Sequence, residues 1–550
     1  MAAWIQASIV LVVVVGLHVP LGDYMARVLQ GGSHLRAEKA LYRVCGINPD
    51  KEQTWRHYLT ALLAFTSMST ATLFALFTLQ DKLPWSTGHE GMPWRLALHT
   101  AVSFTTNTSW QNYAGEATTG HLAVMAGLGV QAFASAAVGI CVALVLVRGL
   151  TRRSTQDLGN FWVDLLRTTF RVLVPIAVVG GLILMAGGVI QGLGGGHTVT
   201  TVAGGAKQTL LDGPVASWEP VKLFSGDGGG FFNAGSAHPF ENPTAWTNIV
   251  EVILMLLIPT ACIRMFGRLI GSLKQSWTLL TVVGILFGLL LAAGTLAQSA
   301  HTGTVTEAVG GQYEGTETRI GVPGSTLFGI SATASADGAG NSSYDSFSSL
   351  GGGVLLSAMM LGEIAPGGTG SGLYGLIVVV LVAVFIGGLM VGRTPEYLRK
   401  RIGYGEMRWV VVYALIPPTV ILACTGFSLA TGDGGSSMGN PGAHGLTELI
   451  YAYTSNTNSN GSAMAGFNGA TDFHNLLMVF AMLAGRYLPM ACVLALAGRL
   501  ARQQPGVVTV GTLRAQGVNF VVLATAAAII LALLNFLPAL SLGTIADGLL

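Results

Sequence analysis

Ten stretches of the chain stay apolar for about 20 residues or more, the length that carries a helix across roughly 30 Å of bilayer hydrocarbon. They cover 4–29, 57–80, 119–148, 169–191, 245–266, 277–298, 373–392, 409–430, 471–498 and 517–540. Charged residues fall mostly between them, so the pattern predicts an all-α polytopic membrane protein with ten transmembrane helices. The first stretch has no basic residue ahead of its apolar run and no small-residue cleavage site. It therefore reads as a retained helix and not as a signal peptide.

Basic residues orient the spans. The segments after the odd-numbered spans, with the flanking helix ends, hold 22 Lys and Arg, among them Arg27, Arg148, Arg152, Arg264, Arg399 and Arg514. The opposite side holds five: Lys82, Arg95, Lys207, Lys222 and Arg319. Positive loops stay in the cytoplasm, which predicts a plasma-membrane protein with both termini outside.

The four outer segments, 81–118, 192–244, 299–372 and 431–470, are long, rich in small polar residues and poor in Lys and Arg. Each carries a short apolar or amphipathic piece followed by a cluster of small residues. These clusters are Phe104–Ser109, Leu223–Gly230, Thr333–Ala339 and Asn458–Ser462. Aligning them puts Asn107, Asp227, Asp337 and Asn460 in one register, roughly 110 to 125 residues apart. The unit is a helix, a re-entrant loop and a helix, repeated four times over 57–148, 169–266, 277–392 and 409–498. An extra helix stands at each end, in 1–56 and 517–550. Four such loops meeting on one axis bring together backbone carbonyls able to replace a cation's hydration shell. The C-termini of the short helices aim their negative ends at the same point. Gly permits the required backbone, and Ser, Thr and Asn add oxygen, the ligand a hard monovalent cation prefers. A filter for a hard monovalent cation is the reading that uses all of these features.

Composition narrows the alternatives. Only 10% of the 550 residues are charged, against roughly 25% in soluble domains, so lipid must cover much of the surface. A net charge of +2 gives no reason to expect nucleic acid. The five cysteines are scattered and no C-x-x-C or Cys/His spacing appears, which argues against a disulfide framework or a zinc site.

Gly228 to Thr244, G-G-G-F-F-N-A-G-S-A-H-P-F-E-N-P-T, resembles the signature of the potassium-translocating A subunit of the Kdp P-type ATPase. Asn107 to Glu116, Asn458 to Gly466 and the segment near Gly367 to Gly375 extend the likeness along the chain. The resemblance implies the fold of the superfamily of K⁺ transporters, four M1–P–M2 repeats around a filter. It also implies a bacterial inner-membrane complex with an ATP-hydrolysing P-type subunit (KdpB-like), a periplasm-facing C subunit (KdpC-like) and a small single-helix subunit (KdpF-like). Filter positions carried over, with their neighbours, are Asn107, Thr108, Gly226, Asp227, Gly228, Gly229, Ala336, Asp337, Gly338, Asn460, Gly461 and Ser462, and Gln111 lies just beyond. The family pattern has neutral side chains where this chain has Asp227 and Asp337. Those carboxylates either face the ion or turn away to bind loop amides.

Charge at membrane depth marks a second region. Glu363 falls where the third unit's second helix should descend, and Gly367 and Gly368 break that helix before it resumes at Leu373. The resemblance makes this break a gating loop. Arg486 interrupts the ninth span and Arg393 ends the seventh. As packing, Arg486 pairs with Glu363 and Arg393 anchors at the interface; as function, these residues line the exit path for ions. The sequence has no D-K-T-G phosphorylation motif and no P-loop, so ATP hydrolysis is expected in another subunit. Two competing readings are a stand-alone Trk/Ktr-like K⁺/Na⁺ transporter and a secondary solute transporter with two-fold inverted repeats.

Overall fold

A computed structural model describes residues 2–300, 312–506 and 515–549. Arg514 and positions 301–311 of the third outer segment lie outside them. Among the described residues, ten helices are long and apolar enough to cross a membrane. They are Trp4–Gln30, Trp55–Thr78, Ala123–Thr151, Phe161–Ala186, Ala245–Leu269, Leu273–Ser299, Ser371–Met390, Tyr404–Thr431, Asp472–Arg502 and Val518–Leu549. The third, fifth and seventh are mostly buried by their neighbours, whereas the first, second, fourth and tenth turn most of their surface outward. Among the described residues the β-strands form two small hairpins, His197–Thr200 with Lys207–Leu210 and Glu396–Tyr397 with Lys400–Arg401. The five cysteines form no disulfide with one another, and all but Cys45 are buried.

The fourth span starts at Phe161, eight residues before the apolar run that announced it. Asn160 caps the added turns, its side-chain oxygen accepting from the Trp162 and Val163 amides at 3.0 and 3.4 Å. Those turns carry Asp164 and Arg167, so hydropathy alone excluded them. Asp164 is tied to Arg148 of the third span by a two-pronged ion pair.

The basic side is a belt of such ties. Arg264 and Arg268 of the fifth span both reach Asp23 of the first. Arg499 pairs with Glu406 across the eighth and ninth spans. Lys400 is buried and donates its three protons to the carbonyls of Arg152, Leu500 and Gln503. These cations tie together the helix ends on the basic side of the chain.

Four further helices stop short of spanning: Trp94–Thr105, Val215–Ser225, Gly321–Ala334 and Gly442–Asn458. Each lies between two spans, and their C-terminal halves are buried. A fifth short helix, Ser349–Met360, is followed by the irregular stretch 361–370 before the seventh span begins at Ser371. The break anticipated around Glu363 therefore separates these two helices.

Candidate ion-binding site

The four re-entrant helices end in the same way. Just past each C-terminus the backbone turns left-handed, with φ +62° at Asn107, +72° at Gly226, +56° at Ala336 and +64° at Ser459. The next residue folds its amide back five positions: Thr108 to Ser103, Asp227 to Lys222, Asp337 to Ala332 and Asn460 to Ser455, at 2.9–3.2 Å. This is the long bond of a Schellman turn, made four times. Left-handed φ is strained for residues with a Cβ, so Asn107, Ala336 and Ser459 must be held there by their surroundings.

This bonding corrects the register read from the sequence. Asp227, Asp337 and Asn460 are equivalent to one another, and their partner in the first loop is Thr108, one residue after Asn107. Asn107 instead occupies the left-handed position and ties two loops together, its side-chain amide donating to the carbonyls of Ser225 and Gly226 at 3.3 and 2.9 Å. The alignment matched side-chain type, whereas the repeat is defined by main-chain geometry.

Glycines let the four loops touch backbone to backbone. A Cβ on Gly226 would stand 3.0 Å from the Ala336 carbonyl oxygen. One on Gly228 would overlap the backbone of Gly338, and one on Gly338 would stand 2.9 Å from the Asn460 carbonyl oxygen. One on Gly461 would overlap the Thr108 carbonyl oxygen, which closes the circuit. A Cβ on Gly229 would stand 3.0 Å from the Gln111 side-chain oxygen, the same oxygen that accepts from the Gly230 amide at 2.9 Å.

The two carboxylates differ in how far their surroundings engage them. Asp227 accepts from the hydroxyls of Ser109, Ser135 and Ser225 at 2.8, 3.3 and 3.2 Å. Asp337 accepts from the Ala339 amide at 2.8 Å through one oxygen, and its other oxygen has no hydrogen-bond partner. Asn460 repeats the Asp337 pattern, its side-chain oxygen accepting from the Ser462 amide at 3.1 Å. Ser462 in turn meets the Tyr451 hydroxyl at 2.7 Å. These side chains brace the loops.

On one side of the loops lies a vestibule of about 520 Å³, to which Ser109, Gln111, Gly229, Gly338, Gly461 and Ser462 contribute. Among the described residues no charged side chain lines it. On the other side the stretch 361–370 packs against the helix ends. Gly367 donates its amide to the Ala334 carbonyl at 2.9 Å, and the Thr369 hydroxyl donates to the Phe224 carbonyl at 2.6 Å. Gly368 leaves so little room that a Cβ would stand 2.9 Å from that of Ala336.

Glu363 and Arg486, with Asn458 and Ser459, line a cavity of about 130 Å³ there. They share the cavity without forming the salt bridge that packing alone suggested: among the described residues no ion pair within 4.0 Å includes either, and one Glu363 oxygen has no partner. Arg393 lies apart, exposed just past the C-terminal end of the seventh span.

The sequence reading missed the polar cluster behind the second loop. Lys222, counted there among outer-loop cations, is fully buried in the second re-entrant helix. Its ammonium contacts Glu219 at 2.9 Å and Glu241 at 2.7 Å, and Glu251 is buried nearby with no hydrogen-bond partner on either oxygen. The other Glu241 oxygen accepts from the Phe232 amide at 2.8 Å. Asn242 and Asn341 both donate to Asn248, at 3.0 and 2.8 Å. The segment Gly228 to Thr244 thus holds the second loop by a buried ion pair and an amide network. The available signal was Glu251, an acidic residue inside an apolar span.

Residues 8–549 match the family described as the potassium-transporting ATPase A subunit. The chain belongs to this family. It is 48% identical over 548 residues to a potassium-transporting ATPase potassium-binding subunit of Kineococcus radiotolerans, covering 100% of this chain and 98% of the relative. The Streptomyces coelicolor protein of the same description is 50% identical over 532 residues, 97% of this chain and 96% of that one. Among solved structures, the potassium transporter TrkH from Vibrio parahaemolyticus superposes with a TM-score of 0.55 at 13% identity, covering 88% of this chain and 97% of that chain. That likeness shows a shared membrane-helical fold.

Proposed function

We propose that this A subunit is the potassium-binding, ion-conducting subunit of an ATP-driven K⁺ uptake complex. Four helix–loop–helix units, 57–148, 169–266, 277–392 and 409–498, surround a filter in which main-chain carbonyls at Thr108, Asp227, Asp337 and Asn460 replace water around K⁺. The observation that supports this most strongly is the four-fold repetition of one backbone turn, with loops touching in a closed circuit. Relatives matching the whole chain are described as potassium-binding subunits of a potassium-transporting ATPase.

In this reading K⁺ arrives from the vestibule beside Gln111, and the helix C-termini favour the cation without a formal charge on the axis. The stretch around Gly367 and Gly368 closes the path below. Glu363 attracts ions leaving the filter and Arg486 limits their return, while Arg393 anchors the inner end of its helix. The chain supplies no hydrolytic motif, so a P-type ATPase subunit turns over ATP, with a periplasm-facing subunit and a single-helix subunit completing the complex. The assembly sits in the bacterial inner membrane with both termini of this chain outside. The 13% identity to TrkH gives a stand-alone transporter no support beyond the shared fold.

The test is purification of the chain from its native membrane followed by an ATPase assay. An ATPase partner is expected to co-purify, with hydrolysis stimulated by K⁺ and not by Na⁺. Isolation without any ATPase, from membranes where the protein transports K⁺, would establish the stand-alone transporter instead.

A further inference from the structure

A second cluster of ligand-type side chains lies away from the filter. His444 and Glu448 stand one turn apart at the start of the fourth re-entrant helix, so both side chains project from one face. Asp345 comes from the third outer segment, in the short turn Tyr344–Ser346. One ligand atom from each of the three lies within 4.8 Å of the others.

We propose that Asp345, His444 and Glu448 form a binding site for a divalent transition-metal cation of the Zn²⁺ class. Three features of the geometry support this. The His444 Nε2 and an Asp345 oxygen are 3.3 Å apart. Two ligands at about 2.0–2.1 Å from a tetrahedral zinc stand about 3.3–3.4 Å from each other. On its other side, the His444 Nδ1 is 3.0 Å from a carboxylate oxygen of Asp547, from the end of the tenth span. A carboxylate behind the imidazole is the usual partner of a metal-bound histidine, because it fixes the ring tautomer and leaves the far nitrogen free to ligate.

Charge is the third feature. Asp345, Glu448 and Asp547 bring three carboxylates to one imidazole, and among the described residues no Lys or Arg lies within 4.0 Å of any of them. Glu448 is fully buried. Its oxygens accept from the Gly439 amide at 2.8 Å, the Asn440 amide at 3.1 Å and the Asn440 side chain at 2.6 Å, donors that are all neutral. Gly466 closes the far wall, where a Cβ would stand 2.5 Å from a Glu448 oxygen and 2.9 Å from an Asp345 oxygen. A divalent ion neutralises the excess charge and pins the third segment, the fourth re-entrant helix and the last helix together. The bound metal acts as a clasp at the vestibule end, outside the ion path.

The experiment uses the full-length subunit without a polyhistidine tag, stripped with a chelator and titrated with Zn²⁺ by calorimetry and with Co²⁺ by visible absorption. One Zn²⁺ per chain is expected, with a rise in the thermal midpoint and intense Co²⁺ bands of a four-coordinate nitrogen and oxygen site. His444→Ala should abolish both signals, and Asp547→Asn should weaken binding roughly 10–100-fold while keeping one site. If His444→Ala does not fold, as judged by helix content, Glu448→Gln is read in the same assay. No saturable Zn²⁺ binding to the unaltered protein overturns the proposal. So does undiminished binding in the variant that folds.

Discussion

Gly461 presents its bare Cα to the carbonyl oxygen of Thr108, and a Cβ there would overlap that oxygen and stand 3.3 Å from the carbonyl oxygen of Asp227. The residue also has φ +95°, which costs a residue with a Cβ about 1–2 kcal/mol. Gly461→Ala should therefore spread the fourth loop away from the first two. The expected result is at least a tenfold loss in apparent K⁺ affinity, since about 1.4 kcal/mol is worth a factor of ten. Rb⁺ and K⁺ binding to the purified variant measures it.

Asp227 spends its carboxylate on three serine hydroxyls. Neutralising it should leave the filter's preference among monovalent cations in place. Asp227→Asn is expected to retain discrimination of K⁺ over Na⁺ while lowering thermal stability, because an amide nitrogen replaces an oxygen that accepts from hydroxyls. Competition of Na⁺ against bound Rb⁺ reads the first effect, and thermal unfolding in detergent reads the second.

Lys222 is the sole cation in contact with Glu219 and Glu241 among the described ion pairs. Removing one partner of a buried pair costs about 3–5 kcal/mol, because the other charge is left without compensation. Lys222→Met should be poorly folded or lose that much stability. Combining it with Glu241→Gln should recover part of the loss, and a double-mutant cycle on thermal or denaturant unfolding checks the coupling.

On the side rich in basic residues, the Arg152 guanidinium donates to Glu52 at 2.7 Å and holds that carboxyl below the usual carboxylate range. A depressed folded-state value means that the contribution is present above the unfolded value, near 4.5, and fades as pH falls through the folded one. The pair is partly exposed, so its worth is under about 1 kcal/mol and shrinks with salt. Glu52→Gln should lower the thermal midpoint slightly at neutral pH, and the difference from the unaltered protein should vanish in strong acid.

The spans and the short helices between them were legible because hydropathy and length reflect the same bilayer constraint. The broken helix at Glu363 was legible for the same reason, since charge and glycine have no place in an uninterrupted lipid-facing segment. The register of the first loop was not. Asn107 has the chemistry of Asp227 and Asn460 but the main-chain role of Gly226 and Ser459, and a string of residue types does not display φ. Lys222 was misplaced because a tally of cations by loop treats a buried re-entrant helix as solvent-facing. The start of the fourth span was late because Asp164 and Arg167 look like loop residues until Arg148 is seen to pair with the first of them.

In the proposed function K⁺ lies among four main-chain carbonyls. The most direct measurement is an experimental structure of the protein in Tl⁺ or Rb⁺, with the ion located by anomalous scattering or by density difference against Na⁺. The predicted result is a peak on the axis bounded by the carbonyl oxygens of Thr108, Asp227, Asp337 and Asn460. A peak held by the Asp227 or Asp337 carboxylates, or no peak between the four loops at saturating ion, would contradict it.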